Sequence, residues 1–382
     1  MSDLSDNKRD DLTQNSVTLM KKLCSVNTVN PPGNEAVLAE LVSDFLKSYG
    51  LTDVQLSTVD RNRANLIARI TRKPDTPALL FAGHLDVVPA GNDWESDPFD
   101  PIIEGDRLYA RGSSDMKSGL VAIILMMKNL HEDKSFTGNV IFLATADEEV
   151  GCSGIRKFLA SQKARKIDAA IIGEPSLNSI GIGEKGALWL KLKTTGISAH
   201  GSCPEDGKNA IDSMISIIQR ISFQLKSREG TTTSCNIISG GNKENVIPDR
   251  CEAVMDFRFL DNSEKQYIAD SIKRIAIVED SDLELEELLY RPAFVTGDNE
   301  RIVITAHDAI KSVTGEEPHK ITLSFFSDGA FIATSSIPTL IIGPGDPSLA
   351  HKANEHVSLS KVEESVKIYC EIARKWFSEK PN

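Results

Sequence analysis

The chain has 382 residues, 40% of them hydrophobic and 26% charged, with a formal net charge of −12 at pH 7 and a pI near 5.2. That length exceeds an ordinary single domain, so two domains with well-filled cores are expected. The acidic balance argues against nucleic acid and anionic membrane as partners, and the most apolar stretch, Gly119 to Met127, is far too short to span a bilayer.

The opening M-S-D-L-S-D-N-K-R-D-D is polar and lacks signal-peptide character. The six cysteines are scattered, with no C-x-x-C pair, and read as free thiols. A reduced, cytoplasmic protein is the expectation.

A first helix is predicted from about Ser16 to Cys24 and a second from about Glu35 to Tyr49, stopped by Gly50. Short β-rich runs follow: V-Q-L-S-T, N-L-I-A-R-I and A-L-L-F-A-G-H, the last ending at His84. Residues 116 to 131 read as a buried helix, apolar on most faces. The continuous apolar run N-V-I-F-L-A-T-A-D-E-E then stops at its acids, Asp147-Glu148-Glu149, a helix is predicted near 153 to 163, and A-A-I-I-G-E-P repeats that form and ends at Glu174. Strands buried on both faces and alternating with helices mean an α/β sheet.

The pattern changes after Gly186. A-L-W-L-K-L-K-T-T alternates like a half-exposed strand. A helix from about Asn209 to Leu225, two strands, a helix from about Ser263 to Ile275 and a strand near L-E-L-E-E-L-L complete the order β-α-β-β-α-β, a ferredoxin-like arrangement. Past Pro292 the α/β style returns, with a helix near 299 to 314, the strand T-L-I-I-G-P-G and a closing helix near 359 to 377. The expected organisation is therefore a catalytic domain in two parts, 1–186 and 292–382, interrupted by an inserted domain at 187–291.

Residues able to bind metal sit where the apolar strands end. His84 is followed by Asp86, which points the same way if the strand continues and would then accept the second ring N–H of the imidazole. Asp115, in R-G-S-S-D-M-K-S-G, is either a helix N-cap or a carboxylate able to bridge two cations. Of the adjacent Glu148 and Glu149, one acid can face a metal while its neighbour faces substrate. Glu174 repeats the strand-then-acid logic, and His351 follows the turn-rich G-P-G-D-P-S-L-A, with His356 as its competitor. Two imidazoles and several carboxylates on separate strand ends suit a pair of zinc-like ions, with one acid left for proton transfer.

Gly181-Ile182-Gly183-Glu184-Lys185-Gly186 fits a dinucleotide-binding pattern. An alternating strand follows it where a helix is needed, which argues against nucleotide binding and a redox role. In the inserted domain His200 is able to hydrogen-bond a developing oxyanion, Asn245 to donate to a substrate carbonyl, and Arg258 to hold a carboxylate through two donors. On the residues alone, each is equally a turn or surface group.

Taken together and in this order, these segments resemble the di-zinc aminoacylase and carboxypeptidase family, which includes acetylornithine deacetylase and succinyl-diaminopimelate desuccinylase. The resemblance covers essentially the whole chain. It implies a mixed-sheet zinc-peptidase catalytic domain with an inserted ferredoxin-like lid and dimerisation domain. It also implies two zinc ions, with cobalt or manganese as substitutes. His84 and Glu174 would hold one ion, Glu149 and His351 the other, and Asp115 would bridge them. Glu148 would be the general base and Asp86 the orienting carboxylate. His200 would reach the partner subunit's active site, Asn245 and Arg258 would recognise substrate, and Asp115-Met116 would be a cis peptide.

The resulting expectation is hydrolysis of a small N-acyl-amino acid, on the pattern of acetylornithine deacetylase. Succinyl-diaminopimelate desuccinylase or a peptidase with the same metals is the alternative, and a catalytically silent metal-binding protein is the reading from another class. The expected partners are the small acyl-amino acid or short peptide and a second copy of the chain.

Overall fold

The computed structural model describes residues 2–161 and 166–378. The chain forms two compact units. One comprises Met1–Gly183, Thr296–Thr322 and Ser327–Asn382; the other comprises Glu184–Val295 with Leu323–Phe326.

The first part runs α1 (Ser2–Cys24), α2 (Glu35–Ser48), β1 (Val54–Asp60), β2 (Arg63–Thr71), β3 (Ala78–His84), β4 (Ile102–Glu104) and β5 (Arg107–Tyr109). It continues with α3 (Ser118–Glu132), β6 (Asn139–Thr145), α4 (Ser153–Leu159), β7 (Ile167–Ile172) and β8 (Ile180–Glu184). The backbone of α1 is helical well before the expected start at Ser16. The helix expected near 153 to 163 ends at Leu159, and Gln162 and Lys163 lie outside the described residues. The glycine-rich segment at 181–186 lies in β8 and at the start of the next strand, and no helix follows it directly.

The second unit contains β9 (Gly186–Thr195), α5 (Ala210–Leu225), β10 (Thr232–Gly240), β11 (Arg250–Phe259), α6 (Glu264–Val278) and β12 (Asp282–Arg291). Its strands form an antiparallel sheet in the order β10-β11-β9-β12. Leu188, Leu190 and Leu192 alternate along β9 onto one face. Met214, Ile217 and Ile221 of α5 and Ile268 and Ile272 of α6 recur at helical spacing to cover that face. Asn209 starts α5 by accepting the backbone N–H groups of Ile211 and Asp212 through its side chain.

β13 (Phe294–Val295) ends the long segment of the second unit, and the chain then supplies α7 (Arg301–Thr314), β14 (Lys320–Leu323), α8 (Gly329–Ala333), β15 (Thr339–Ile341), β16 (His356–Ser358) and α9 (Leu359–Ser378). In the first unit the mixed sheet runs β1-β2-β6-β3-β7-β15-β8. Within it β6, β3, β7 and β15 are mutually parallel, so their C-terminal ends share one edge. Open α/β sheets place their sites at that edge. Leu79 and Phe81 of β3 join the core that α1, α2, α3, α7 and α9 close, while Leu80 and Ala82, pointing the other way, are equally buried. Burial on both faces explains why these strands read as unbroken apolar runs.

Two features differ from the helix expected at 116–131. Residues 113–117 form a tight irregular turn in which Asp115 is extended (φ −121°, ψ 98°), and the regular helix begins at Ser118. Asp115 is therefore not the N-cap, and its peptide to Met116 is cis, as the resemblance implies. A small antiparallel sheet of β16, β5 and β4 also forms, with Tyr109 opposite His356 and Leu108 opposite Val357. It brings the chain just before Asp115 alongside the chain just after His351.

Gly119, in the first turn of α3, packs where any Cβ would overlap the carbonyl oxygen of Gly173, immediately before Glu174. Gly119→Ala is expected to destabilise the protein by about 1–3 kcal/mol through overpacking, read from the midpoint of denaturant unfolding. An unchanged midpoint would contradict this close approach of helix and strand.

Candidate metal centre

Of the proposed ligands of the first unit, Asp115 lies in the irregular turn before α3, Glu149 and Glu174 lie in the loops after β6 and β7, and His351 lies in the loop between β15 and β16. His84 is the last residue of β3. Its Nδ1 lies 2.9 Å from the carbonyl oxygen of Asp86, and since a carbonyl only accepts, Nδ1 carries the proton of the neutral ring. Nε2 is then left facing Asp115 Oδ1 at 3.1 Å and Glu174 Oε1 at 3.5 Å. Asp115 turns its other oxygen, Oδ2, to His351 Nε2 at 3.3 Å, and Glu149 Oε2 approaches the same nitrogen at 3.2 Å.

Two donor groups result: His84, Asp115 and Glu174; and Asp115, Glu149 and His351. In each group the donor atoms lie within 4.8 Å of one another. The competitor His356 is turned aside, its Nδ1 on the carbonyl of Asn354 and its ring against Tyr109. His351 itself has a left-handed backbone (φ +63°), an uncommon conformation outside glycine that the surrounding contacts must hold.

The reading of Asp86 needs correction. Its carboxylate does not take the ring N–H of His84, whose Nδ1 is 3.7 Å from Oδ1; the main-chain carbonyl does that. β3 has already ended at His84, so the alternation expected of a strand no longer applies at Asp86. The carboxylate instead accepts the backbone N–H groups of Glu148 and Glu149, each at 3.1 Å, and the Nδ2 group of Asn30 at 2.9 Å. Asp86 thus ties the loop after β3 to the loop after β6.

Behind it, Asn30 also donates to Asp147 Oδ1 at 3.0 Å, while Arg63 donates to Asn30 Oδ1 at 2.6 Å and pairs with Asp147. Glu35 Oε1 accepts the N–H of Asp147 at 3.1 Å. Nothing in the linear sequence marks Asn30, Arg63 or Glu35 as part of a site; a polar residue just before Pro-Pro-Gly is the one available hint.

The electrostatics follow from burial and mutual proximity. Burial lifts Glu148 well above the usual carboxylate range, with Glu149, Glu174 and Asp328 adding to the effect against His84. Burial would also raise Asp115, but His351 and His84 hold it well below its ordinary value. His351 is raised to about 10 by Asp115 and Glu149. Burial works against a charged His84, yet Glu174 and Asp115 carry it well above the imidazole range. Glu148 Oε1 and Glu149 Oε1 are buried without a hydrogen-bond partner among the described residues.

Excess carboxylate, imidazole nitrogens turned inward and unpartnered buried oxygens form a donor set that fits two divalent cations. A further buried group, Glu148, Cys152 and Asp328, adjoins it, with Cys152 Sγ directed to the Glu148 carbonyl at 3.3 Å.

The three groups expected from the inserted domain belong to the second unit. His200 Nδ1 lies 2.7 Å from Ser202 Oγ in an exposed loop. That loop bridges to Val246, with the Gly201 N–H on the Asn245 carbonyl at 2.8 Å. Arg258 is already engaged through two donors by Asp256, at 2.9 and 3.1 Å, and its guanidinium lies 5.8 Å from the Phe326 ring centre.

Known proteins resemble the chain over most of its length. Residues 80–375 match the model of peptidase family M20/M25/M40. Succinyl-diaminopimelate desuccinylase of Ehrlichia ruminantium (strain Welgevonden) is 31% identical over 382 residues, covering 95% of this chain and 98% of the relative. Among solved structures, aminopeptidase PepT from Bacillus cereus superposes with a TM-score of 0.81 at 20% identity, covering 95% of this chain and 98% of its own. The YxeP protein of Bacillus subtilis, described as a dinuclear metal-binding peptidase, superposes with a TM-score of 0.76 at 15% identity, covering 97% and 99%. At those identities the two structures show a shared fold.

Glu35 supplies a test of the network behind the site. Burial raises its carboxyl from 4.5 to about 7, against its hydrogen bonds and Arg63. Folding therefore favours the protonated form, and the stability it contributes at low pH is lost as pH rises from 4.5 through about 7. The stability of the wild type relative to Glu35→Gln is expected to fall across that window and level off above it. Thermal unfolding of both proteins at a series of pH values measures this; a difference that rises or stays flat would contradict it.

Proposed function

The chain belongs to the peptidase family M20/M25/M40, and on that footing we propose that it hydrolyses the amide of an N-succinyl amino acid of the succinyl-diaminopimelate kind. The sharing of Asp115, one oxygen toward His84 and the other toward His351, is the observation that carries the hydrolytic reading. The substrate reading rests on the desuccinylase relatives, 31% identical over nearly the full length, and they favour it over the acetylornithine deacetylase pattern expected from the sequence.

His84, Asp115 and Glu174 would hold one ion and Asp115, Glu149 and His351 the other, with zinc as the proposed metal. When bound, such a pair of ions polarises the acyl carbonyl and acidifies the attacking water. Glu148 is the proposed general base: it takes the proton from that water and delivers it to the leaving amine. Its burial, which raises its affinity for a proton, suits a group that must take up a proton and then release it. Asp86 positions Glu148 by holding its backbone N–H.

In the second unit we assign His200 to oxyanion stabilisation and Asn245 and Arg258 to substrate recognition. Arg258 would exchange Asp256 for a substrate carboxylate. The family resemblance further supports a homodimer formed through the inserted unit, with His200 serving the partner's site.

Glu148→Gln is expected to keep its metal and lose roughly 10²–10⁴ in kcat, the range for loss of a general base; near-full turnover by a metal-loaded variant would remove Glu148 from that role. A panel of N-succinyl and N-acetyl amino acids and simple dipeptides, ranked by kcat/KM, tests the substrate. Preference for succinyl compounds is the expected result. Preference for acetyl compounds or dipeptides would overturn the assignment, and no turnover of any compound by zinc-loaded protein would favour a metal-binding protein without catalysis.

A further inference from the structure

One buried ion pair reaches three of the loops that carry the site. Glu355, fully buried just before β16, accepts four hydrogen bonds. Its Oε2 takes Arg111 Nη1 at 2.6 Å and the N–H of Gly112 at 2.9 Å. Its Oε1 takes the N–H groups of Ser114 at 2.8 Å and Asp115 at 2.9 Å. Arg111, 1% exposed, uses Nη2 to donate to the carbonyls of Ala90 at 3.0 Å and Pro89 at 3.4 Å, on the loop that leaves His84 and Asp86. Its guanidinium lies 5.3 Å from the Trp94 ring centre. The pair thus joins the loop carrying Asp115 to the loop carrying His351, four residues before Glu355, and braces both against the exit from β3.

We propose that Glu355 and Arg111 are positioning residues that set the spacing of Asp115 and His351, and so govern the affinity of the ion held by Asp115, Glu149 and His351. This inference rests on the two-ion reading above. Asp115 serves both ions, but the other ion's imidazole, His84, is fixed by its strand and by the Asp86 carbonyl, so a loosened brace, which displaces both Asp115 and His351, weakens the ion held by Asp115, Glu149 and His351 more than the other.

The chemistry leaves little tolerance. A buried carboxylate needs its full set of donors, and removing one partner of such a pair leaves the other charge uncompensated. An amide in place of Glu355 keeps one acceptor oxygen but turns an NH2 group toward two donors that already need acceptors. The loop segments 112–115 and 351–355 then separate.

The test is zinc binding to the full chain, measured by competition with a chromophoric chelator and by bound zinc per protein. Wild type is expected to bind two zinc ions. Glu355→Gln should bind one about 10- to 100-fold more weakly, the usual loss for an outer-sphere partner, and the other with a smaller loss. Its kcat should fall at limiting zinc and recover with excess zinc, with KM unchanged. A smaller loss in the same direction is expected for Arg111→Lys, which keeps the charge beside Glu355 but not the reach to Ala90, and this variant carries the test if Glu355→Gln does not fold.

Two wild-type zinc affinities in either folded variant would overturn the inference, even with a lowered unfolding midpoint, because that combination is the mark of a purely structural role. Fewer than two zinc ions on the wild type would overturn the two-ion reading itself.

Discussion

Asp115, Glu148, Glu149 and Glu174 gather at one edge of a sheet with two imidazoles among them, and the first unit is organised around that concentration of charge. Carboxylates this close and this buried repel one another and lose their hydration, so they require either protons or cations. The displaced proton affinities of Glu148, His84 and His351 are the response of the protein's own groups to that requirement. A pair of dications would satisfy it without protonating Glu148, the proposed general base.

The fold supplies the convergence. Parallel pairing of β6, β3, β7 and β15 brings His84, the acids after Thr145 and Glu174 to a common edge from distant parts of the chain. Strand pairing alone sets positions to the nearest residue, and a metal site needs finer placement. Two further buried carboxylates provide it by accepting backbone N–H groups: Asp86 holds Glu148 and Glu149, and Glu355 holds the stretch from Gly112 to Asp115. Both act on main chain, so the side chains of the loops remain free to face the site.

Much of this arrangement is legible in the sequence, because an apolar run that stops abruptly at an acid or a histidine marks a doubly buried strand delivering a polar group to the sheet edge. A-L-L-F-A-G-H becomes β3 with the expected end at His84, the apolar run before Asp147 becomes β6, which stops at Thr145 two residues short of the acids, and the alternation of A-L-W-L-K-L-K-T-T becomes β9. The framework around the site is less visible. Asn30, Arg63, Arg111 and Glu355 act on partners far away in the chain, and in a linear reading they look like ordinary turn or surface residues. Strands of three residues, such as β4, β5 and β16, are too short to show a period, so the small sheet that sets Glu355 beside Asp115 leaves no signature in the sequence. For Asp86 the sequence indicates the right neighbourhood and the wrong partner, because the alternation of a strand does not carry past its end.

The central claim is that one carboxylate, Asp115, is shared by two ions. Anomalous diffraction at the zinc edge from crystals grown with zinc tests it most directly. The account predicts two peaks, one within bonding distance of His84 and Glu174, the other of Glu149 and His351, and both in contact with Asp115. A single peak, or two peaks that do not share Asp115, would contradict it.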